Sequence, residues 1–302
     1  MTLQNVHKTV MLSEAVEALN LKAGDIVFDG TLGGGGHTEM ICENFGNEVK
    51  IIGIDRDPLA LERTAERLAS KKCDLVTVCG DFREIKKIAT GQRLQKVSAI
   101  LLDLGLSSNQ LENSGRGFSF RLDEPLQMTF GLARDTETLT ARDIVNTWSE
   151  ETLADIIFAY ADERYAKRIA REIVAARNHT PITMTGELVA IIAEAVPSVY
   201  RHGKTHFATK TFQALRMAVN DELNALEQCL RDGLSLLKPE GRIAVITFHS
   251  VEDRLVKNLF KEFVGSGRAK LIVKKPKIPT EAEIEINPRA RSAKLRILEK
   301  IA

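Results

Sequence analysis

Ile26-Val27-Phe28-Asp29-Gly30-Thr31-Leu32-Gly33-Gly34-Gly35-Gly36-His37 decides the fold of this 302-residue chain. A short apolar run ends in an acid, turns through glycines and opens into a helical pattern near Thr38. Glycines permit a tight turn and a close backbone approach to a ligand, and the first N–H groups of a helix are free to face it. The pattern predicts a nucleoside-like cofactor held at the end of a strand.

Working outward, Lys50–Asp55, Leu75–Val78 and Val97–Asp103 are further short apolar runs, separated by helical patterns over about 38–44, 58–70 and 83–89. Such runs alternating with helices predict parallel strands buried on both faces, in a doubly wound α/β sheet. From about Asn113 to Ala208 the rhythm changes to helical patterns alone, over 140–146, 150–161, 164–177 and 185–195. A single long helix over about 212–237 and a turn at Lys238-Pro239-Glu240 then lead to an apolar run at 241–248. Lys270–Val273 and Lys294–Leu298 are candidates for the last two strands. The expected organisation is a discontinuous Rossmann-like domain, 1–112 and 209–302, interrupted by an inserted helical substrate-recognition domain, 113–208.

Hydrophobic residues make up 44% and charged residues 27%, as in soluble globular proteins. No apolar run approaches the ~20 residues that span a bilayer. The first residues lack a basic region followed by an apolar core, so no secretory signal is expected and a cytoplasmic location is. The four cysteines, Cys42, Cys73, Cys79 and Cys229, form no CxxC pair and have no metal-like spacing with histidine. Buried free thiols, and no metal site, are the expectation. The net charge of +1 conceals an asymmetry: 9 basic residues against 3 acidic lie within 164–216, and 13 against 5 within 254–302. Two basic tracts on a nearly neutral chain suit a polyanionic partner, although solvated charged faces give the same counts.

Asp55 ends the second run about 20 residues beyond the glycine turn, where a carboxylate can accept hydrogen bonds from ribose hydroxyls. Both NAD enzymes and S-adenosylmethionine methyltransferases use that arrangement. Three features favour S-adenosylmethionine. Thr38 stands where a GxGxxG pattern needs its third glycine, Asp29 ends the first strand beside the turn, and Asp103 ends the fourth. Carboxylates suit a sulfonium and an ammonium and oppose two phosphates. A Walker-type phosphate loop is excluded, because no GK[ST] follows the glycines. Phe82 is positioned to pack on an adenine ring, or serves as an ordinary core aromatic. Asp81 has a helix N-cap as its alternative to ligand binding.

With these motifs in view, the chain resembles the bacterial ribosomal RNA small-subunit methyltransferase H family. The segments that carry the resemblance run nearly end to end: His7–Leu12, Asp29-Gly30-Thr31 with Gly35-Gly36-His37, Ile54–Asp57, Leu101–Ser108 with Gln110, Arg116–Phe120, His206–Arg216, Phe248–Arg254 and Asn287–Ser292. The resemblance implies a class I methyltransferase domain interrupted by a helical domain. It also implies S-adenosylmethionine-dependent methylation of the exocyclic N4 of a cytidine in the decoding region of 16S rRNA, within the small ribosomal subunit. It implies cofactor contacts from Gly35, Gly36, His37, Asp55, Phe82, Asp103 and Gln110. One departure stands out. Where the family typically reads Pro-Leu-Asp-Met-Arg-Met-Asp, this chain has Pro125-Leu126-Gln127-Met128-Thr129-Phe130-Gly131. Either substrate engagement is altered there or a loop has drifted.

Cytosine N4 is a weak nucleophile, because its lone pair is conjugated with the ring. An acceptor for its N–H as it loses planarity would help, and Asp103, Ser107 and Ser108 are the candidates. Attack by a thiolate on C5 is disfavoured, since no cysteine lies in the Asp103–Gln110 loop. The target base must leave its stack, so recognition would rest on RNA shape and phosphate contacts. Lys210, Arg216, Arg254, Arg289, Arg291 and Lys294 are candidates for those contacts; neither DNA nor a membrane is an expected partner. The alternative is a cofactor-binding RNA assembly factor with weak or no methyl transfer.

Overall fold

A computed structural model describes residues 8–106, 111, 114–131 and 138–301. Ser107, Ser108, Gln110 and His7 lie outside the described residues. Among the described residues no helix is long and apolar enough to cross a membrane.

The chain divides into two compact units, Met1–Gly105 with Leu223–Ala302, and Leu106–Glu222. The first is built on a seven-stranded sheet ordered β3-β2-β1-β4-β5-β7-β6. Its strands are β1 (Ile26–Asp29), β2 (Lys50–Asp55), β3 (Asp74–Cys79), β4 (Val97–Asp103), β5 (Leu237–Thr247), β6 (Ala269–Leu271) and β7 (Lys294–Lys300). β1 to β5 are mutually parallel, whereas β7 runs antiparallel to both β5 and β6. The chain moves one way from β1 to β2 and β3, then returns to β4 on the other side of β1. That reversal leaves a crevice beyond the carboxyl ends of β1 and β4, the place where open α/β sheets bind ligands.

Residue alternation along the strands gives each face its own core. Phe28, Ile52, Ile100, Leu102, Ile243 and Val245 face one side. They pack there on α4 (Ile85–Gly91), α11 (Glu222–Leu236) and α12 (Ser250–Gly265). Val27, Ile51, Ala99, Leu101, Ala244 and Ile246 face the other, against α1 (Leu12–Ala18), α2 (Gly36–Phe45) and α3 (Pro58–Leu68). β4 is buried on both faces, as a central parallel strand must be, while the edge strand β3 is partly exposed along its length.

The second unit is helical, with α5 (Ala141–Thr147), α6 (Glu150–Ala161), α7 (Ala166–Arg177), α8 (Thr185–Ala195), α9 (Ser198–Arg201) and α10 (Thr209–Asn220). Its core joins Ile144, Leu153, Ile157, Ile169, Ile173, Leu188 and Ile192 to Phe212 and Leu215 of α10. The compact units divide at 105/106 and 222/223, and the apolar face of α10 belongs to the helical core.

Three expectations are corrected. The single helix over 212–237 is two helices, since Asp221 turns left-handed at φ 50° and ends α10. The Lys238-Pro239-Glu240 turn is an irregularity at the start of β5, with the pairing of β4 skipping from Leu237 to Arg242. The cysteines are not all buried free thiols. Cys42 near the end of α2 and Cys73 just before β3 are disulfide-bonded at a Cα–Cα distance of 5.1 Å, and Cys79 is exposed; only Cys229 is a buried free thiol. The fold carries the end of α2 alongside the entry to β3, a proximity that a 31-residue separation does not reveal.

Candidate active site

The glycine turn is braced by hydrogen bonds from every side. Gly30 N–H donates to the Leu101 carbonyl at 2.9 Å, tying β1 to β4, and Leu32 N–H donates to the Ile54 carbonyl of β2 at 2.9 Å. Gly33 and Gly35 sit in the left-handed region at φ 47° and 71°, a conformation cheap only for glycine. A side chain at Gly35 would stand 2.4 Å from Thr64 Cγ2, and one at Gly36 would collide with Thr9. Thr64 donates its hydroxyl to the Gly33 carbonyl at 2.9 Å, and Arg67 binds the Gly34 carbonyl. A Cβ added at Gly34 would meet open space, so the turn presents bare backbone outward there. α2 begins at Gly36, immediately beyond.

Three carboxyl groups surround this turn. Asp55 accepts Gly33 N–H at 2.8 Å on one oxygen and Asp57 N–H at 2.8 Å on the other. Burial holds its pKa above the usual carboxylate range despite those bonds. The acceptor capacity these bonds leave open is what a ribose diol needs. Asp29 is 2% exposed and accepts the Thr38 hydroxyl at 2.7 Å and Thr31 N–H at 3.3 Å. Burial raises its pKa to about 6. Thr38, which reads in the sequence as a departure from the dinucleotide pattern, is thus the residue that satisfies Asp29.

Asp103 closes the group at the end of β4. Its N–H donates to Thr31 Oγ1 at 2.6 Å, and its Oδ2 lies 3.8 Å from His37 Nδ1. Oδ1 is buried and has no hydrogen-bond partner among the described residues. Burial first, then the charges of Asp29 and Glu252, push its pKa well above the ordinary value. Glu252, in the first turn of α12, was missed by sequence reasoning. It is 2% exposed, accepts Phe248 N–H at 3.0 Å, and lies 2.9 Å from His249 Nε2. An acid two residues after a Ser-Val helix start looks like an ordinary first-turn acid; only the sheet brings it near Asp103. His249 caps that helix, accepting Glu252 N–H at 3.4 Å, and this accounts for a residue to which the sequence assigns no role.

Phe82 packs partly buried against the core, its Cβ 3.3 Å from the Cβ position of Gly30, which brings it beside the turn. Asp81 takes the alternative role, capping the short helical turn Phe82–Glu84 through Arg83 N–H at 2.9 Å, and pairs with Arg83 and Arg56. His37 is buried in the first turn of α2. The turn, the unpartnered Asp103 oxygen and the excess of carboxyls fit S-adenosylmethionine. They oppose a pyrophosphate, because acids whose pKa values are raised chiefly by burial, and for Asp29 and Asp103 also by a neighbouring carboxylate, favour a cation beside them.

The candidate phosphate contacts separate into two kinds. Arg216 is committed to a bidentate pair with Glu222 at 2.7 and 2.8 Å, and both side chains are mostly buried. Lys294 lies 3.1 Å from Asp253, which also holds Arg296 at 2.6 Å. Lys210 donates to the Asp162 carbonyl at 2.8 Å. Arg254, Arg289 and Arg291 are exposed.

The departing segment 125–131 is a packed strap of the helical unit. Leu126, Met128 and Thr129 are buried. Met128 holds φ 57°, its N–H bonded to the Arg116 carbonyl at 2.7 Å. Asn220 donates to the Met128 carbonyl at 2.7 Å and accepts Phe130 N–H at 2.9 Å. The Arg116 guanidinium, itself buried, reaches the carbonyls of Thr129 at 3.1 Å and Phe130 at 2.7 Å. The segment is thus packed into the helical unit.

Comparison with known proteins agrees with this architecture. Over 315 aligned residues the chain is 43% identical to the ribosomal RNA small subunit methyltransferase H of Brevibacillus brevis, covering 99% of both. It is 46% identical over 311 residues to the protein of the same name from Carboxydothermus hydrogenoformans, covering 98% of both. A glycine turn at the sheet's switch point, flanked by three carboxyls and interrupted downstream by a helical unit, is the frame of a methyltransferase, and residues 4–301 match the family described as the MraW methylase family, to which this chain belongs.

Proposed function

We propose that this enzyme methylates the exocyclic N4 of a cytidine in the decoding region of 16S rRNA, within the small ribosomal subunit and hence in the bacterial cytoplasm. The observation that carries the reading is Asp103 Oδ1, a buried acceptor without a partner among the described residues, at the carboxyl end of β4 beside the glycine turn. The full-length likeness to proteins named for ribosomal RNA of the small subunit supports the substrate.

S-adenosylmethionine, when bound, supplies an electrophilic methyl group on a cationic sulfur. In this reading the backbone of Gly33–Gly36 and the Asp55 carboxylate orient it, with Phe82 against its adenine and His37 and Gln110 as further contacts. A cationic cofactor beside Asp29 and Asp103 would favour their ionised forms and oppose the upward shifts that burial imposes. Ionised Asp103 then accepts a hydrogen bond from the N4 amino group. That bond strengthens as the nitrogen loses planarity, and Oδ1 is the atom that takes the departing proton. Ser107 and Ser108 are assigned as secondary acceptors in the same loop. Alignment of amine and methyl supplies most of the acceleration, for which positioning contributes roughly 7–11 kcal/mol in favourable cases. The helical unit is assigned to substrate recognition, with Arg254, Arg289 and Arg291 of the sheet unit as phosphate contacts.

The test is transfer of tritium from labelled S-adenosylmethionine into small ribosomal subunits taken from cells lacking this methylation. Label in the 16S rRNA is the expected result. Cofactor binding without any label would overturn the reading in favour of an assembly factor.

A further inference from the structure

A cleft of about 310 Å³ opens in the sheet unit between the start of α12 and the chain that leads into β7. One wall is apolar, formed by Phe248, Ile278, Pro279 and Ile284; Arg291 and Lys294 line it as well. Neither the cofactor turn nor the three carboxyls use it. It is nevertheless close to them, because Phe248 directly follows β5 and its ring lies 3.4 Å from the Cβ position of Gly105, two residues beyond Asp103.

The chemistry of the cleft is that of a nucleotide site. Its volume sits at the lower end of the range for small-ligand pockets, about 300–1,000 Å³. Ile278 is 68% exposed, an apolar side chain held open to solvent on the cleft wall. Arg291 is exposed and makes no ion pair among the described residues. Lys294 and Arg296 share the single carboxylate of Asp253, so one positive charge at the cleft is left unneutralised. Glu283, on the short helix α13 (Glu281–Ile286), is occupied elsewhere, accepting Met11 N–H at 2.6 Å. An apolar wall beside two cations suits an unstacked base and its phosphate, and His249, Ser250 and Ser292 also line the cleft.

We infer that this cleft holds the nucleotide next to the methylated cytidine, its base on the Phe248–Ile278–Ile284 wall and its phosphate at Arg291 and Lys294. The inference rests on the proposed RNA substrate. It makes the cleft an anchor that fixes the strand while the neighbouring base is extruded toward Asp103. Stacking and charge supply the anchor's main contacts.

Two variants test it from opposite directions: Ser292→Trp, which fills the cleft, and Arg291→Ala, which removes its cation. Each is compared with the parent protein for KM and kcat on unmethylated small subunits, with S-adenosylhomocysteine affinity as the check on folding. The expected result is a rise in KM of about tenfold, as for loss of one stacked base or its phosphate contact. Cofactor affinity stays at the parental value. Photocrosslinking from 4-thiouridine placed beside the target cytidine is expected to mark Phe248 or the 278–284 segment. Unchanged KM in both variants, or crosslinks confined to other regions, overturns the inference. If the parent protein itself fails to methylate subunits, the substrate reading falls instead. The two variants are then scored by binding to a single-stranded decoding-region oligonucleotide, where parental affinity overturns the cleft and weakened affinity supports it.

Discussion

The carboxyl edge of the sheet and the strap at 116–131 are both dense hydrogen-bond networks, yet they are built from opposite materials. At the sheet edge, side-chain carboxyls accept from backbone N–H groups and threonine hydroxyls close by in the chain or on adjacent strands, and Asp103 keeps an acceptor in reserve. In the strap, backbone carbonyls accept from two buried side chains, Arg116 and Asn220, and Asn220, about ninety residues away, accepts Phe130 N–H in return. The first network leaves a buried acceptor open. The second is internally satisfied and holds Met128 in a conformation that costs roughly 1–2 kcal/mol for a residue with a side chain. Loss of acidic and basic side chains from 127–131 therefore leaves a strap whose fixed geometry rests on its backbone.

The sharpest way to break this contrast is to remove the reserve acceptor. Asp103→Ala is expected to lower kcat by roughly 10²–10⁴, the usual contribution of a positioned proton acceptor. S-adenosylhomocysteine binding should weaken but persist, held by the glycine turn and Asp55. A variant with parental kcat would take Asp103 out of the reaction.

Asn220→Ala attacks the other network. It strands the Met128 carbonyl and Phe130 N–H, each buried polar group costing about 1–3 kcal/mol when unsatisfied. Denaturant unfolding should show a loss of about 2–4 kcal/mol, with cofactor affinity unchanged by calorimetry. If cofactor affinity falls in step with stability, the two networks are not independent.

Asp29 gives a smaller and pH-dependent effect. With its folded pKa raised from about 3.8 to about 6, the folded state binds the extra proton. Stability from this group is then greatest below pH 4, declines as pH rises toward 6 and is level above it. Asp29→Asn should stabilise the cofactor-free protein by up to about 3 kcal/mol at pH 8 and by little at pH 4. Urea unfolding at both pH values checks this; equal effects at the two would show that the carboxyl is not strained by burial.

The smallest effects distinguish the arginines. Arg291→Ala should reduce the slope of log affinity for RNA against log salt by about 1, because one phosphate contact is lost. Arg216→Ala should leave the slope alone and lower stability, its guanidinium being committed to Glu222. A reduced slope for Arg216→Ala would mean that the Glu222 pair opens to bind RNA.

The sheet edge was largely legible in the sequence for the same reason that it differs from the strap. β1 to β4 are short apolar runs, and β1, β2 and β4 each carry a candidate acid at the last position, so Asp29, Asp55 and Asp103 could be named from local pattern alone. Thr38 and Glu252 were not recognised, since their value depends on which carboxyl the fold sets opposite them. The antiparallel insertion of β7 between β5 and β6 was equally hidden, because a run such as Lys294–Leu298 carries no sign of direction. The pairing of Cys42 with Cys73, the break at Asp221, the neutralisation of Arg216 and the Arg116–Asn220 clamp all join residues far apart in the chain or depend on a single left-handed residue. Periodicity reports which face a residue occupies. It does not report which partner waits there.

The central claim is tested most directly by mass-spectrometric mapping of the nucleotide modified when this protein and S-adenosylmethionine act on small ribosomal subunits that lack the modification. The account predicts a single new methyl group on the exocyclic N4 of a cytidine in the decoding region of 16S rRNA. A methyl group on another atom or another RNA, or none at all, would contradict it.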